Sequence, residues 1–237
     1  MNQGRVDDDA GRIAAARFDY DGDGLAEDQL LATPYAQARQ WVDDAVARSQ
    51  VERDVFEPLA VSVATVDAAG VPNVRTVLMR FLDERGPGFV TALTSAKGRE
   101  IEANPVMAVA LTWPAMYRAI RFRGRAVMVD RSEVLEYWHS RPWASRISAW
   151  TSQPPAPVRS RTDLEEAYAR RAAEFPDTGS EEDVPVPDFW GGYRVVPDEV
   201  EFWAGRRNRL HDRLVFTRVG DGDLGDVASW QVHRRQP

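Results

Sequence analysis

The chain contains no cysteine, which excludes disulfides, thiolate nucleophiles and cysteine-ligated metals and agrees with a cytoplasmic location. Histidine is almost as scarce. Three residues, His139, His211 and His233, are spread without clustering through 237 positions, which argues against a zinc site, and no metal is expected. Also missing is any apolar run near the ~18 residues of a membrane span. The opening segment MNQGRVDDDAGR has no apolar signal core, so no membrane partner is expected. Positive charge is in the minority: 30 Lys+Arg against 37 Asp+Glu give a net charge of -7. That excludes a generally basic nucleic-acid binder and confines any anion site to a local basic pocket. What is present, 43% hydrophobic and 28% charged residues, fits a globular chain long enough for a real core. No break in charge or composition divides it. The expectation is a mobile N-terminal segment over 1–16 and one domain over 17–237.

The run RFDYDGDGLAEDQL begins like a calcium loop, with Asp19, Asp21, Asp23 and Gly24 at positions one, three, five and six. The twelfth position, which needs a bidentate carboxylate, is Leu30, so the stretch reads as a turn-rich connector. A helix is predicted over 34–49. Thr33 caps it, Pro34 suits its first turn, and Tyr35, Ala38, Trp41, Val42, Ala45 and Val46 form an apolar stripe. Strands are predicted over 59–66, 74–82 and 89–93, with turns over 67–70 and 83–88. Thr94 to Glu100 reads as a loop entering a short helix that ends near Asn104-Pro105. Its hydroxyls, amides and Lys97 suit a phosphate cradle or, more simply, a serine-capped helix. A hairpin is predicted over 106–113 and 119–129. Its second strand carries Arg121, Arg123 and Arg125 at alternate positions, a face that must be solvated, paired with acids or bound to an anion. Helices are predicted over 131–140, 144–152 and 162–175, the last with Thr162 as cap and Glu165 completing a capping box. Strands over 190–196, 199–203, 210–218 and 229–233 close the chain. This order predicts a mainly β fold with peripheral helices, an antiparallel barrel-like sheet.

The run Phe202 to Arg213, FWAGRRNRLHDR, packs four arginines, a tryptophan and a histidine into twelve residues. Read as a strand entered after a turn at Ala204-Gly205, it places Arg209, His211 and Arg213 on one face and Leu210, Asp212 and Leu214 on the other. Such a face suits an anionic ligand such as a phosphate ester. It equally suits a solvated edge strand with Asp212 as counter-ion.

Four runs carry a resemblance: RTVLMR, TSAKGREIEANP, YWHSRP and FWGGYRVVPDEVEFW followed by NRLHDR. In this order and spacing they resemble the FMN-dependent pyridoxine/pyridoxamine 5′-phosphate oxidases, over nearly the whole chain from about Arg17. The resemblance implies a split β-barrel homodimer with two flavin sites at the subunit interface. It implies oxidation of C4′ of the phosphorylated pyridoxine or pyridoxamine, with hydride transfer to flavin N5 and reoxidation by dioxygen, to give pyridoxal 5′-phosphate. Carried over residue by residue, it places substrate phosphate on Tyr137, Arg141 and Ser145, and the reacting end of the pyridine on the catalytic pair Arg209 and His211. An N-terminal substrate lid falls on Arg17 and Tyr20, which explains the DYDGDGL stretch better than calcium does. The family's lysine that touches both flavin and substrate is Arg80 here, and arginine differs from lysine in shape.

The implied flavin residues are Arg75, Arg80, Thr91, Ser95, Lys97, Trp203 and Arg213. Four positions depart from the pattern. Val90 replaces a tyrosine, Ala96 an arginine and Ala119 a glutamine. Pro154-Pro155 replaces a Gln-Ser pair unless a one-residue shift lets Gln153 stand in. At the C-terminus, Arg234 matches the usual Arg-Leu-x-Pro and Arg235 does not. An intact substrate set beside an eroded cofactor set leaves two alternatives. One is a paralogue acting on another reduced ring, as the phenazine-biosynthesis oxidases do; these share Lys97 to Glu100 but lack the HSRP arginine. The other is a pyridoxal-phosphate binder with a weakened flavin site.

Overall fold

The computed structural model describes residues 19–152, 154 and 156–237. The segment 1–16, Arg17 and Gln153 lie outside the described residues.

Nine strands form one antiparallel sheet: β1 (Ala60–Val66), β2 (Pro72–Leu78), β3 (Phe81–Asp83), β4 (Gly86–Ala92), β5 (Val106–Trp113), β6 (Arg118–Met128), β7 (Trp190–Ala204), β8 (Asp212–Arg218) and β9 (Trp230–Arg234). The order is β2-β1-β5-β6-β7-β4-β3, with β8 on β7 and β9 on β8. The sheet curls into a split half-barrel because β7 changes partner along its length. One edge pairs with β6 over 193–204, while the other pairs with β4 over 190–194 and with β8 over 199–204.

Where the sequence predicted two strands around Pro197-Asp198, β7 is continuous. Pro197 faces Gly124 at a register shift in β6. A bulge of this kind tolerates the amide that proline lacks. The strand predicted over 74–82 is divided into β2 and β3. The residues between them still bond, Met79 N–H to the Leu59 carbonyl and Arg80 N–H to the Gly88 carbonyl, each at 2.8 Å.

Five helices, among the described residues, flank the sheet: α1 (Pro34–Val51), α2 (Ala96–Ala103), α3 (Arg131–Ser140), α4 (Trp143–Thr151) and α5 (Arg161–Glu174). Helix α1 is capped as predicted, Thr33 Oγ1 accepting from Ala36 N–H at 3.1 Å. It buries Ala38, Trp41, Val42 and Ala45 and sets Trp41 edge-on to Phe202 with ring centroids 5.4 Å apart. Helix α5 is capped by Ser160 rather than Thr162, with Ser160 Oγ accepting from Asp163 N–H at 3.0 Å.

Two apolar cores result. The larger fills the barrel with Val63, Leu111, Ile120, Phe122, Val195, Phe202, Leu214 and Phe216. Each such side chain contributes about 1.5–3 kcal/mol over its exposed state. The smaller gathers Trp138, Ile147 and Val184 between the helices, with Trp150, Phe175 and Trp190 around them. Between the cores stands Arg194 of β7, 3% exposed. It donates to Asp83 at 3.1 Å, to Glu133 at 2.9 Å and to the Gly86 carbonyl at 2.7 Å, and so ties α3 to the β3–β4 hairpin.

Candidate active site

The residues singled out in the sequence fall into three groups. The first lies around the start of α2. Ser95 caps the helix, accepting from Gly98 N–H at 3.3 Å. Lys97 Nζ donates to Thr91 Oγ1 at 3.0 Å and Ser95 Oγ at 3.4 Å. Thr91 and Ser95 are buried. Burial, then the nearby Arg75 guanidinium, holds Lys97 below the usual lysine range. Arg75 reaches this group from β2 and donates to Glu100 at 2.7 Å. Val90 pairs with Gly192 across β4 and β7, and Ala96 is the first residue of α2, so both departures border this group.

The second group is built by α3 and the β2–β3 connection. The Arg80 guanidinium lies over the Tyr137 ring, 5.6 Å from its centroid. Arg141, just past the end of α3, stacks on Trp190 at 4.6 Å and Trp138 at 5.3 Å. Its Nη2 donates to the Ser145 carbonyl at 2.8 Å. Its Nη1 is buried and has no hydrogen-bond partner among the described residues. Burial, opposed by Tyr137 and aided by the neighbouring Arg80 and Arg146, pulls the Arg141 pKa down. The guanidiniums of Arg80 and Arg141 thus lie beside the Tyr137 phenol. That arrangement favours an incoming dianion, since a buried cation needs a partner.

The third group corrects the strand reading of Phe202 to Arg213. Arg207–Arg209 form a single 3-10 turn. Asn208 and Arg209 occupy the left-handed region, with φ of 59° and 62°. The strand resumes only at Asp212. Arg209 therefore does not share a strand face with His211 and Arg213, and Leu210 is 69% exposed. Asp212 is not the counter-ion of Arg209 either. Its carboxylate accepts from Arg206, Arg234 and Leu25 N–H. His211 does enter a cluster. Its ring lies 4.8 Å from that of Trp203 and 5.0 Å from that of Tyr20, centroid to centroid. His211 Nδ1 accepts from Arg206 N–H at 3.1 Å, so the neutral ring carries its proton on Nε2. Burial first, then the Arg209 charge, lowers its pKa below 6.5.

Beside this cluster, Thr112, Ala119, Trp203 and Arg213 are successive cross-strand neighbours through β5, β6, β7 and β8. They line an open cavity of about 430 Å³ together with Ala110, Arg121 and Pro237. The small side chain of Ala119 forms part of this wall.

Three acids were missed in the sequence. Glu100 holds Arg75. Glu133 shares Arg194 with Asp83. Glu201, 2% exposed on β7, faces Arg121, Arg213 and Arg235. The alternate arginines of β6 call for solvent, acids or an anion, and Glu201 is the acid that answers Arg121. The stretch around Asp19 also finds an acid's partner: Asp21 accepts from Arg207 at 2.8 Å.

The fold is thus a split half-barrel that carries cationic and aromatic clusters on its strands and flanking helices. The comparisons narrow the class. Residues 47–174 match the family model described as pyridoxamine 5′-phosphate oxidase. Residues 190–237 match that of the pyridoxine 5′-phosphate oxidase C-terminal dimerisation region. The chain belongs to the pyridoxine/pyridoxamine 5′-phosphate oxidase family. A pyridoxine/pyridoxamine 5′-phosphate oxidase of Kineococcus radiotolerans is 44% identical over 98% of this chain and 100% of its own. One from a Psychrobacter species is 40% identical over 93% and 97%. Among solved structures, PhzG from Burkholderia lata in complex with tetrahydrophenazine-1-carboxylic acid superposes with a TM-score of 0.77. It is 29% identical and covers 91% of this chain and 99% of its own.

Proposed function

We propose that the protein oxidises pyridoxine or pyridoxamine 5′-phosphate to pyridoxal 5′-phosphate, with FMN as cofactor, as a homodimer in the cytoplasm. The observation that carries this reading is the pre-set Arg141, fixed by two indoles and the Ser145 carbonyl, with a buried donor that has no partner among the described residues. Arg141, Arg80 and Tyr137, with Ser145 behind them, hold the substrate's phosphate. Arg209 and the Nε2–H of His211 orient the reacting end of its ring, and Tyr20 covers it from the N-terminal side.

The donor set fits FMN. Arg75, Lys97, Ser95 and Thr91 offer cations and hydroxyls to a phosphate. Trp203 and Arg213 offer an aromatic wall and a cation to the flavin ring. When bound, FMN supplies the redox chemistry, and the protein supplies position and charge. Arg17 and Gln153 keep their proposed roles at the substrate and the cofactor. The homodimer reading rests on the dimerisation region matched by β7–β9. It would let the Trp203–His211 cluster of one subunit complete the Arg75 and Arg141 groups of the other.

The test is a visible spectrum of the purified protein with FMN, then with pyridoxine 5′-phosphate without oxygen. Bleaching of a bound flavin band is the expected result. A bound flavin that does not bleach would transfer the reading to another reduced ring, as in the phenazine oxidases, and absence of FMN binding would leave a pyridoxal-phosphate binder. A second outcome concerns pH. Arg209→Gln should move the His211 titration, and with it the acidic limb of kcat/KM, to higher pH, because a cation that lowers its pKa is gone. An NMR titration that shows no movement removes Arg209 as the cause.

A further inference from the structure

Glu100 places a negative charge inside the group proposed to hold the cofactor's phosphate. It lies one turn beyond Lys97 on α2, and its side chain is 11% exposed. Oε2 accepts from Arg75 Nη2 at 2.7 Å and from the Thr65 hydroxyl, and Oε1 accepts from Asn73 Nδ2 at 2.9 Å. Burial pushes this carboxyl up, but the bonds from Thr65, Asn73 and Arg75 more than reverse it, so Glu100 is ionised at neutral pH. Three charges therefore act on one another here. Arg75 lowers the pKa of Lys97, and Glu100 raises it.

The arrangement has two separable effects. By shape, Glu100 fixes the guanidinium fork of Arg75 through the Thr65–Asn73 lattice. By charge, it cancels part of the field that Arg75 and Lys97 would exert on a dianion. A glutamine in its place keeps the first effect, since its carbonyl oxygen still accepts from Arg75 and Thr65 and its NH2 can donate to Asn73 once that amide turns its oxygen inward, and it loses the second.

We propose that Glu100 is a built-in counter-anion that positions Arg75 and at the same time limits how tightly the site holds a phosphorylated flavin. The inference rests on the FMN reading above. It names a residue whose neutralisation improves binding, an effect that a folding defect does not produce.

The experiment uses the full chain and titrates FMN and riboflavin, the same ring without phosphate, by quenching of flavin fluorescence. E100Q should bind FMN about tenfold or more tightly than the wild type, with riboflavin changed by less than about twofold. E100A, which loses the shape as well, should bind FMN more weakly than E100Q. The gain in E100Q should shrink as salt is raised. FMN affinity that is unchanged or lower in E100Q overturns the proposal, as does an equal gain for riboflavin. If the wild type binds no FMN, the cofactor reading itself fails and the inference falls with it. Sound wild-type binding with no gain in E100Q removes the role of Glu100 alone.

Discussion

Arg141→Ala is expected to lower kcat/KM for pyridoxine 5′-phosphate by about 100-fold, a size consistent with losing charge-assisted bonds of about 1.5–3 kcal/mol each. Bound flavin should stay at its wild-type level. The reason is how the guanidinium is held. Stacking on Trp190 and Trp138 and the bond to the Ser145 carbonyl fix its plane before any ligand arrives. Little ordering is left to be done on binding. The buried Nη1 has no partner among the described residues, and on the proposed reading a phosphate oxygen would satisfy it. Arg141→Lys keeps the charge but not the fork, so it should fall between wild type and alanine. The check is steady-state kinetics on the phosphorylated substrate beside its dephosphorylated form. The variant should lose discrimination between the two. Unchanged kinetics in Arg141→Ala would remove the phosphate seat from this position.

The second large effect is on stability. Glu201→Ala should destabilise the protein by about 3 kcal/mol, at the low end of the cost of breaking a buried ion pair. The low end applies because the guanidiniums left behind can recover water: Arg121 is 51% exposed, Arg235 38% and Arg213 22%. For a chain of this size that is a fall in Tm of roughly 6–12 °C. Acid should mimic the substitution. Burial alone would push the Glu201 carboxyl up, but the bonds and charges of Arg213 and Arg121 bring it below its ordinary value of 4.5. A depressed carboxylate contributes stability above its unfolded pKa and loses it as pH falls through the folded one. The wild type should therefore lose this contribution below about pH 4.5, and the Glu201→Ala melting curve should lack that part of the acid dependence. Thermal melts of both proteins from neutral to acid pH check it. Parallel curves would mean that Glu201 does not carry the effect.

What the sequence made legible was local and periodic. The apolar stripe of α1, the alternate arginines of β6 and the serine cap of α2 each follow from spacing within one element, and each was found. The turn at Arg207–Arg209 was not, because its left-handed residues are an asparagine and an arginine rather than glycine. Asparagine enters that region more readily than most residues, but Arg209 beside it gives no sign of the bend. Thr162 and Ser160 are both hydroxyl residues two apart, and only the backbone shows which one bonds the free amide. The acids were invisible for another reason. Glu201 meets Arg235, and Arg194 meets Asp83 and Glu133, across separations that no periodicity records. The family motifs brought Tyr20, Trp203 and His211 to notice, and the folded chain sets their rings in contact.

The partner change along β7 has a consequence for how the chain is made. In the folded chain β2, β1, β5 and β6 make one set of paired strands and β3 and β4 another, and only β7 joins the two sets. The strand that joins them is formed about a hundred residues after β4, a long-range closure of the kind that slows folding. Until then β6 and β4 each expose an unpaired edge, which invites pairing with other chains. A chain that stops short of β7 is accordingly expected to aggregate more readily than the full chain. A truncation there leaves two open-edged fragments rather than a smaller barrel.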